Sequence, residues 1–313
     1  MATMGKAAGY QNLPSGNWAP AIYSQKVQKF FRRASVVEDI TNTDYAGEIE
    51  NFGDTVNIIK EPTITVNDYA RGQTVNTQTL ADDQIQLTVD QGSYFAFKVD
   101  DIEERQSHVN FEALATSSGA YALKKNYDFN VLSAIYSGAS TSAANTGTDG
   151  SPIDGDAAVD TLTDIMSAAK TVLDGQDVPE ENRWFVAPPA FYQQLRKAGA
   201  KIVDQSVMAD GSASAMRNGM ITDRPLFGFR MYTTNAIAVS SGSAASKTFG
   251  SAGANEYAFL YGHQGAVATA NHIAKTELIR DPDSFSDIVR GLHVFGRKVL
   301  RTEAVYSGVI TIG

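Results

Sequence analysis

Cysteine is absent from this 313-residue chain, which excludes disulfides, thiolate metal sites and cysteine nucleophiles. Histidine is scarce. His108, His263, His272 and His293 are scattered without the spacing of metal ligands, and His263 and His272 share a segment but lie nine positions apart. No apolar run approaches membrane-spanning length, and the opening "MATMGKAAGYQNLPSGNW" lacks the apolar core of a signal peptide. Long basic runs are missing too. With a net charge of −9, the surface is not built to wrap nucleic acid. The densest basic cluster, Lys26, Lys29, Arg32 and Arg33, falls in "YSQKVQKFFRRAS". Read as a helix, that stretch sets Ile22, Val27, Phe30 and Phe31 near one side, so the cations form the solvated face of a short helix.

Signatures of chemistry are missing as well. The chain has no G-x-S-x-G elbow, Walker phosphate loop, H-E-x-x-H pair or dinucleotide-binding glycine fingerprint. Asp281, Asp283 and Asp287 cluster in "RDPDSFSD" and offer oxygens for a hard cation. They lack the glycine and terminal glutamate of a calcium loop and read as a solvated turn. Glu103 and Glu104 read as surface charges. No catalytic, cofactor-binding or metal-ligating residue is nominated, and the chain is not read as an enzyme.

What is present is a globular composition, 43% hydrophobic and 19% charged, with an unusual order of parts. "GDTVNIIKEPTITVNDYARG", from Gly53, reads as strand, crosses Pro62, reads as strand again and runs into a polar stretch ending near Gln84. A second run alternates Ile85, Leu87 and Val89 with Gln86, Thr88 and Asp90, the period of a half-buried strand. The two runs predict one long hairpin. Arms of about twenty residues would span on the order of 60 Å, and a ribbon of that length is marginal in water unless something covers it. Phe95, Phe97 and Val99 alternate as a further strand. A helix is predicted over 110–137, capped by Asn110, ended by Gly138 and carrying Phe111, Leu114, Ala122, Phe129, Leu132 and Tyr136 at helical spacing. Gly119 is its weak point.

The small-residue stretch 137–156 reads as a linker. Beyond it the texture turns α/β. Val159, Leu162, Met166, Ala169 and Leu173 form a helical stripe ended by Gly175; "RWFVAP" reads as a buried strand, and Pro189 opens a helix followed by Gly199. "PLFGFRMYTTNAIAV" gives another strand, and a second small-residue loop precedes "EYAFLYGHQGAVATA" and the strand-rich C-terminal stretch.

This order resembles the major capsid proteins of tailed double-stranded-DNA bacteriophages, whose fold is shared by encapsulins and the herpesvirus capsid floor. The resemblance covers nearly the whole chain and is most specific in "DYAGEIENFGDTVNI" (44–58), "FKVDDIEERQ" (97–106), "YAFLYGHQGAVATA" (257–270) and "IVRGLHVFGRKVLRTEAV" (288–305). It implies an α+β tailed-phage capsid fold with an N-terminal arm at 1–45. A peripheral domain would comprise 46–136 and 256–305, including an extended β-hairpin loop at 60–92 and a spine helix at 110–137. An α/β axial domain at 137–255 and a C-terminal strand at 306–313 complete the scheme.

The implied function is structural: hexamers and pentamers of an icosahedral shell enclosing the genome without specific DNA binding, with no membrane and no cofactor. The protein would reside in the virion capsid after assembly in the host bacterial cytoplasm. The extended loop would lie over a neighbouring subunit, with Tyr69 supplying apolar area, Arg71 an ion pair, and Asp82 and Asp83 meeting basic groups. The arm begins almost at Met1, which argues for a separate scaffolding protein; a portal and a decoration protein are further expected partners. The alternative is an encapsulin-like compartment holding a cargo enzyme, which the content of purified particles would distinguish.

Overall fold

The computed structural model describes residues 35–45, 55–62, 64–75, 77–79, 84–100, 111–141, 147, 151–155, 161–195, 227–237, 256–282 and 284–312. Among these, the fold rests on two larger sheets joined by a long helix, with a separate two-stranded sheet beside them.

The first sheet has three antiparallel strands in the order β3 (Gln91–Asp100), β10 (Ser286–Val299), β9 (Val267–Arg280). Alternation along β3 turns Phe95, Phe97 and Val99 inward, as the sequence predicts. The helix α2 (Phe111–Gly138) lies on β3 and β10. Its close approach depends on missing side chains. A Cβ on Gly119 would stand 2.9 Å from the Phe95 ring, and one on Gly291, the cross-strand partner of Phe95, would stand 2.3 Å from it. The Phe95 ring thus occupies space that two glycines leave open. Gly119, the weak point of the predicted helix, is the position that admits the sheet.

The second sheet is mixed and six-stranded. Its main path runs β4 (Ser140–Thr141), β11 (Val305–Thr311), β8 (Glu256–His263), β6 (Arg183–Ala187), β7 (Arg230–Thr233), and β5 (Ile153–Asp154) also pairs with β11. All five residues of β6 are buried, as expected of a short continuous apolar strand. Phe185 sits at the centre of the core. Its ring centroid lies 5.4 Å from Phe191, 5.6 Å from Phe259 and 6.2 Å from Tyr261, within the range of favourable aromatic pairing. Phe191 belongs to α4 (Pro189–Leu195), and α3 (Thr161–Asp174) buries Leu162, Ile165, Met166, Ala169 and Leu173. The predicted stripe is therefore largely reproduced, with Val159 and Gly199 outside the described residues. Arg183 is buried and fully engaged: it donates to the Asp174 carboxylate at 2.6 Å, to Pro179 O at 2.9 Å and to Val178 O, tying the end of α3 to β6.

Several expectations change. The predicted hairpin arms of about twenty residues pair over five: β1 (Thr55–Ile59) runs antiparallel to β2 (Gln84–Thr88), from Thr55 opposite Thr88 to Ile59 opposite Gln84. Pro62 lacks a backbone donor, and the apolar side chains beyond it meet no surface of the subunit; no described residue of 60–79 is in a strand. The helical stripe holds in its second half and is wider than predicted. Leu132 is fully buried with Phe129 and Tyr136 packed on the same core, Tyr127, Val131 and Ile135 join them, and Ala122 is exposed. The first half of α2 faces the three-stranded sheet and the second half faces the main core, so one stripe does not describe both.

Segment 137–156 is not wholly a connector, since β4 and β5 pair in parallel with β11. The stretch 256–305 divides between sheets: β8 joins β6 and β11, whereas β9 and β10 join β3. Residues 35–45, read as part of the arm, are stitched into the body. Val37 and Ile40 of α1 (Val37–Ile40) are fully buried, and Ser35 Oγ donates to Asp128 of α2. Asn42 pairs with β9 through Asn42 N to Val267 O at 2.8 Å and Thr269 N to Asn42 O at 2.9 Å. Asn110, the predicted cap, lies outside the described residues.

Leu132→Ala should destabilise the unassembled subunit by about 2–5 kcal/mol, the usual loss for a buried leucine. Lys124→Ala removes an exposed ion pair with Glu38 at 3.3 Å and should cost about 0–1 kcal/mol. Urea melts compare the two; equal losses would place Leu132 outside the core.

Burial holds the His293 imidazole below its ordinary value, and burial followed by the Arg183 charge does the same at His263. The His293 ring stacks on Phe295 at 5.3 Å and meets Tyr127 edge-on at 5.4 Å. The unfolded chain therefore takes up these protons first as pH falls below about 6.5, and the folded state loses stability until its own histidines titrate. His293→Asn should lower stability at pH 7 yet flatten its decline between pH 7 and 5. An unchanged slope in urea melts across that range would remove His293 from the titration.

Candidate intersubunit surface

The sequence carries no catalytic signature, so the functional question becomes which described surfaces the subunit leaves apolar and exposed. The base of the β1–β2 hairpin is held inside the subunit. Leu87 and Val89 are fully buried against Ala268, Ala270 and Val294, with Val56 and Ile58 packed alongside. The predicted phase of β2 places these side chains inward. Gly296 allows the contact, because a Cβ there would stand 2.6 Å from the Thr88 carbonyl oxygen.

Beyond Ile59 the chain leaves that support. Every described residue from 60 to 79 is exposed, including Ile64 at 68%, Val66 at 91%, Tyr69 at 68% and Val75 at 73%. Four large apolar side chains on one loop exceed the scattered exposure usual on a monomer surface. The loop is nevertheless shaped. Gln73 N donates to Ala70 O at 2.9 Å, closing a turn in which Gly72 adopts φ +90°, a conformation that suits glycine at that position. Ala70 N donates to the Gln73 side chain at 3.0 Å, and Thr65 N to the Gln78 side chain at 3.0 Å, which draws the two limbs together.

Of the four residues singled out from the sequence, Tyr69 and Arg71 thus stand at the exposed tip of this loop, one on each side of Ala70. Asp82 and Asp83 lie outside the described residues. The aspartate cluster is a hairpin tip: Asp281 N donates to Ser286 O at 3.0 Å, and the Asp281 carboxylate accepts from Ser284 Oγ at 2.7 Å and from Lys98. Asp283 lies outside the described residues. Among the described residues no cluster of His, Asp or Glu is arranged to hold a metal ion, and no helix is long and apolar enough to cross a membrane.

Sequence reasoning missed the outer face of the three-stranded sheet. Tyr94 is 77% exposed directly opposite Leu292, which is also exposed. The signal was available, since Tyr94 is a large apolar residue in the outward phase of a strand whose inward phase is already aromatic.

The family model for phage capsid proteins matches residues 82–308. The chain belongs to the phage capsid protein family. A chain from Mycobacterium phage Che8 is 27% identical and superposes with a TM-score of 0.74, over 93% of this chain and 97% of that one. The cyanophage P-SCSP1u capsid structure gives 17% identity and a TM-score of 0.67, over 93% of this chain and 92% of that one. The mature capsid of bacteriophage PhiM1 gives 15% and 0.66, over 96% and 98%. The last two speak for the fold alone. No curated protein matches by sequence. The α+β capsid fold and the structural, non-enzymatic role follow from this membership, and with them the exposed loop becomes a feature of a virion shell protein.

In unassembled subunits, trypsin should cut after Lys60 and Arg71 well before Lys170 or Arg183, because a protease needs an extended, exposed backbone. Mass spectrometry of the first fragments reads the order. Earlier cleavage at Arg183 would contradict the exposure of the loop.

Proposed function

We propose that this capsid protein forms hexamers and pentamers of an icosahedral shell enclosing the double-stranded DNA genome of a tailed phage, its extended loop lying over an adjacent subunit. One observation carries the reading: residues 60–79 expose Ile64, Val66, Tyr69 and Val75 while the base of the same hairpin is packed in the core. A second copy supplies the burial that the subunit lacks. At about 25 cal/mol per Å² of apolar area removed from water, each contact is modest, but repetition at every boundary makes the shell cohesive. Tyr69 contributes contact area and Arg71 a charge for pairing; Asp82 and Asp83 are assigned to the same boundary. The net charge of −9 suits a wall along which DNA slides. Peripheral and axial domains, a scaffolding protein, a portal, a decoration protein and assembly in the host cytoplasm belong to the same proposal.

Replacing residues 60–83 with Asn-Gly joins Ile59 to Gln84, already a cross-strand pair, through a two-residue loop compatible with a hairpin. The subunit should keep its circular dichroism and urea midpoint, and closed particles should be lost in sedimentation velocity and electron micrographs. Particles as stable as the parent's would remove the loop as a clamp. An unfolded variant would assign the loop to the subunit's own core.

A further inference from the structure

The two halves of α2 are held very differently. None of residues 115–126 is buried, whereas Tyr127, Val131, Leu132 and Ile135 are buried in the main core. The outer half is fastened at separate points. Gly119 lies against the Phe95 ring, the exposed Lys124 pairs with Glu38 at 3.3 Å, and Asn126 Nδ2 donates to Ser93 Oγ at 2.7 Å. A stretch with few buried contacts opens locally at low cost while the remainder stays anchored. The halves divide at Tyr127, and there the helix meets His293 of β10.

Uncharged groups close around His293. Its ring stacks on Phe295 at 5.3 Å and meets Tyr127 edge-on at 5.4 Å, and Tyr127 meets Phe295 edge-on at 5.0 Å. Across the sheet its partners are Ser93 of β3 and Ala274 of β9. From Gln91 to Phe97, β3 carries no charged residue. On α2, Lys124 is engaged by Glu38 and Asp128 by Ser35; on β10, Arg290 is engaged by Glu277. Burial pushes the Tyr127 hydroxyl above its ordinary value, so this ring stays neutral as pH falls. The His293 Nδ1 is buried and makes no hydrogen bond among the described residues. A neutral imidazole tolerates that site with its proton on Nε2 and a bare lone pair on Nδ1. The imidazolium carries an N–H on both nitrogens, and the second finds no acceptor. Burial is accordingly what holds this ring below its ordinary value.

Opening the seam gives both N–H groups water. The open state therefore binds the proton more tightly, and acid favours it. Only the outer half of α2 is free to respond. We propose that His293 is an acid-released catch on α2: once protonated, it frees 111–126 from β3 and β10 while 127–138 stay seated in the main core. The subunit thus has two shapes on one fold, exchanging about Tyr127. With an ordinary value of about 6.5 in the open state and a neutral ring in the closed one, a fall from pH 7.5 to 5.5 raises the open population about tenfold.

Hydrogen exchange read by mass spectrometry on the full-length, unassembled subunit tests the catch at pH 7.5 and 5.5, with rates corrected for intrinsic exchange. In the parent, peptides within 111–126 should lose protection about tenfold on acidification, and those within 128–138 should change less than twofold. His293→Gln and His293→Phe should show no such acid step, whereas His108→Gln, His263→Gln and His272→Gln should keep it. Unchanged protection of 111–126 in the parent would overturn the proposal. So would an equal loss in both halves, which marks global unfolding, or an acid step that survives in both His293 variants. The first two of these are read on the parent alone, so a variant that fails to fold does not shield the proposal.

Discussion

The pairing of β9 with β10 is the interaction on which the other parts of the subunit hang. Each strand is 14 residues long, and their ladder extends from Val267–Val299 at one end to Arg280–Asp287 at the other. Along this ribbon β3 adds a third strand, α2 covers one face, and the β1–β2 base packs at the end farthest from the turn. Segment 35–45 docks there too, through Asn42 and through Thr41 Oγ1, which lies 2.8 Å from Thr269 Oγ1. A two-stranded ribbon of this length is marginal alone. Here β3, α2 and the β1–β2 base take up one flank, one face and one end of the ribbon, while β9 is the sheet's edge strand, bridged by Asn42.

The base of the β1–β2 hairpin, from which the exposed loop leaves, packs at one end of this hydrogen-bonded ladder, and the β9–β10 turn forms the other. The main core behind the ribbon, with Phe185, Phe259 and Tyr261 stacked across β6 and β8, carries the stability that frees the loop from folding duties. The loop residues are correspondingly absent from both cores.

Much of this organisation was legible from residues alone. Leu87 and Val89 announce the inward phase of β2 by strict alternation, the α3 stripe by its 3.6-residue period, and β6 by a short continuous apolar run. The order of these parts carried the resemblance to the family. What misled were features in which local pattern and partner diverge. Ala122 falls on helical spacing yet is exposed, because α2 changes the surface it faces midway along. The two-residue strands β4 and β5 look like linker, because their pairing is supplied by β11, far along the chain. Arg183 opens a strand read as buried, and it is the carbonyls of Val178 and Pro179 together with Asp174 that make the burial of its charge tolerable.

By itself, then, the sequence determined much of the local conformation, including which sides of β2, β3 and α3 are apolar. The exposure of Ile64, Val66, Tyr69 and Val75 was decided by tertiary structure, which brings no surface of the subunit over them. Tertiary structure decided which elements meet. Phe95 enters the space left by Gly119 and Gly291, β8 goes to one sheet and β9 to the other, and the aspartate-rich turn becomes the end of the β9–β10 ribbon with Phe285 at its tip. These are pairings between residues up to hundreds of positions apart. Alternation and helical period report which side of an element is apolar, but carry no information about which distant surface will cover it.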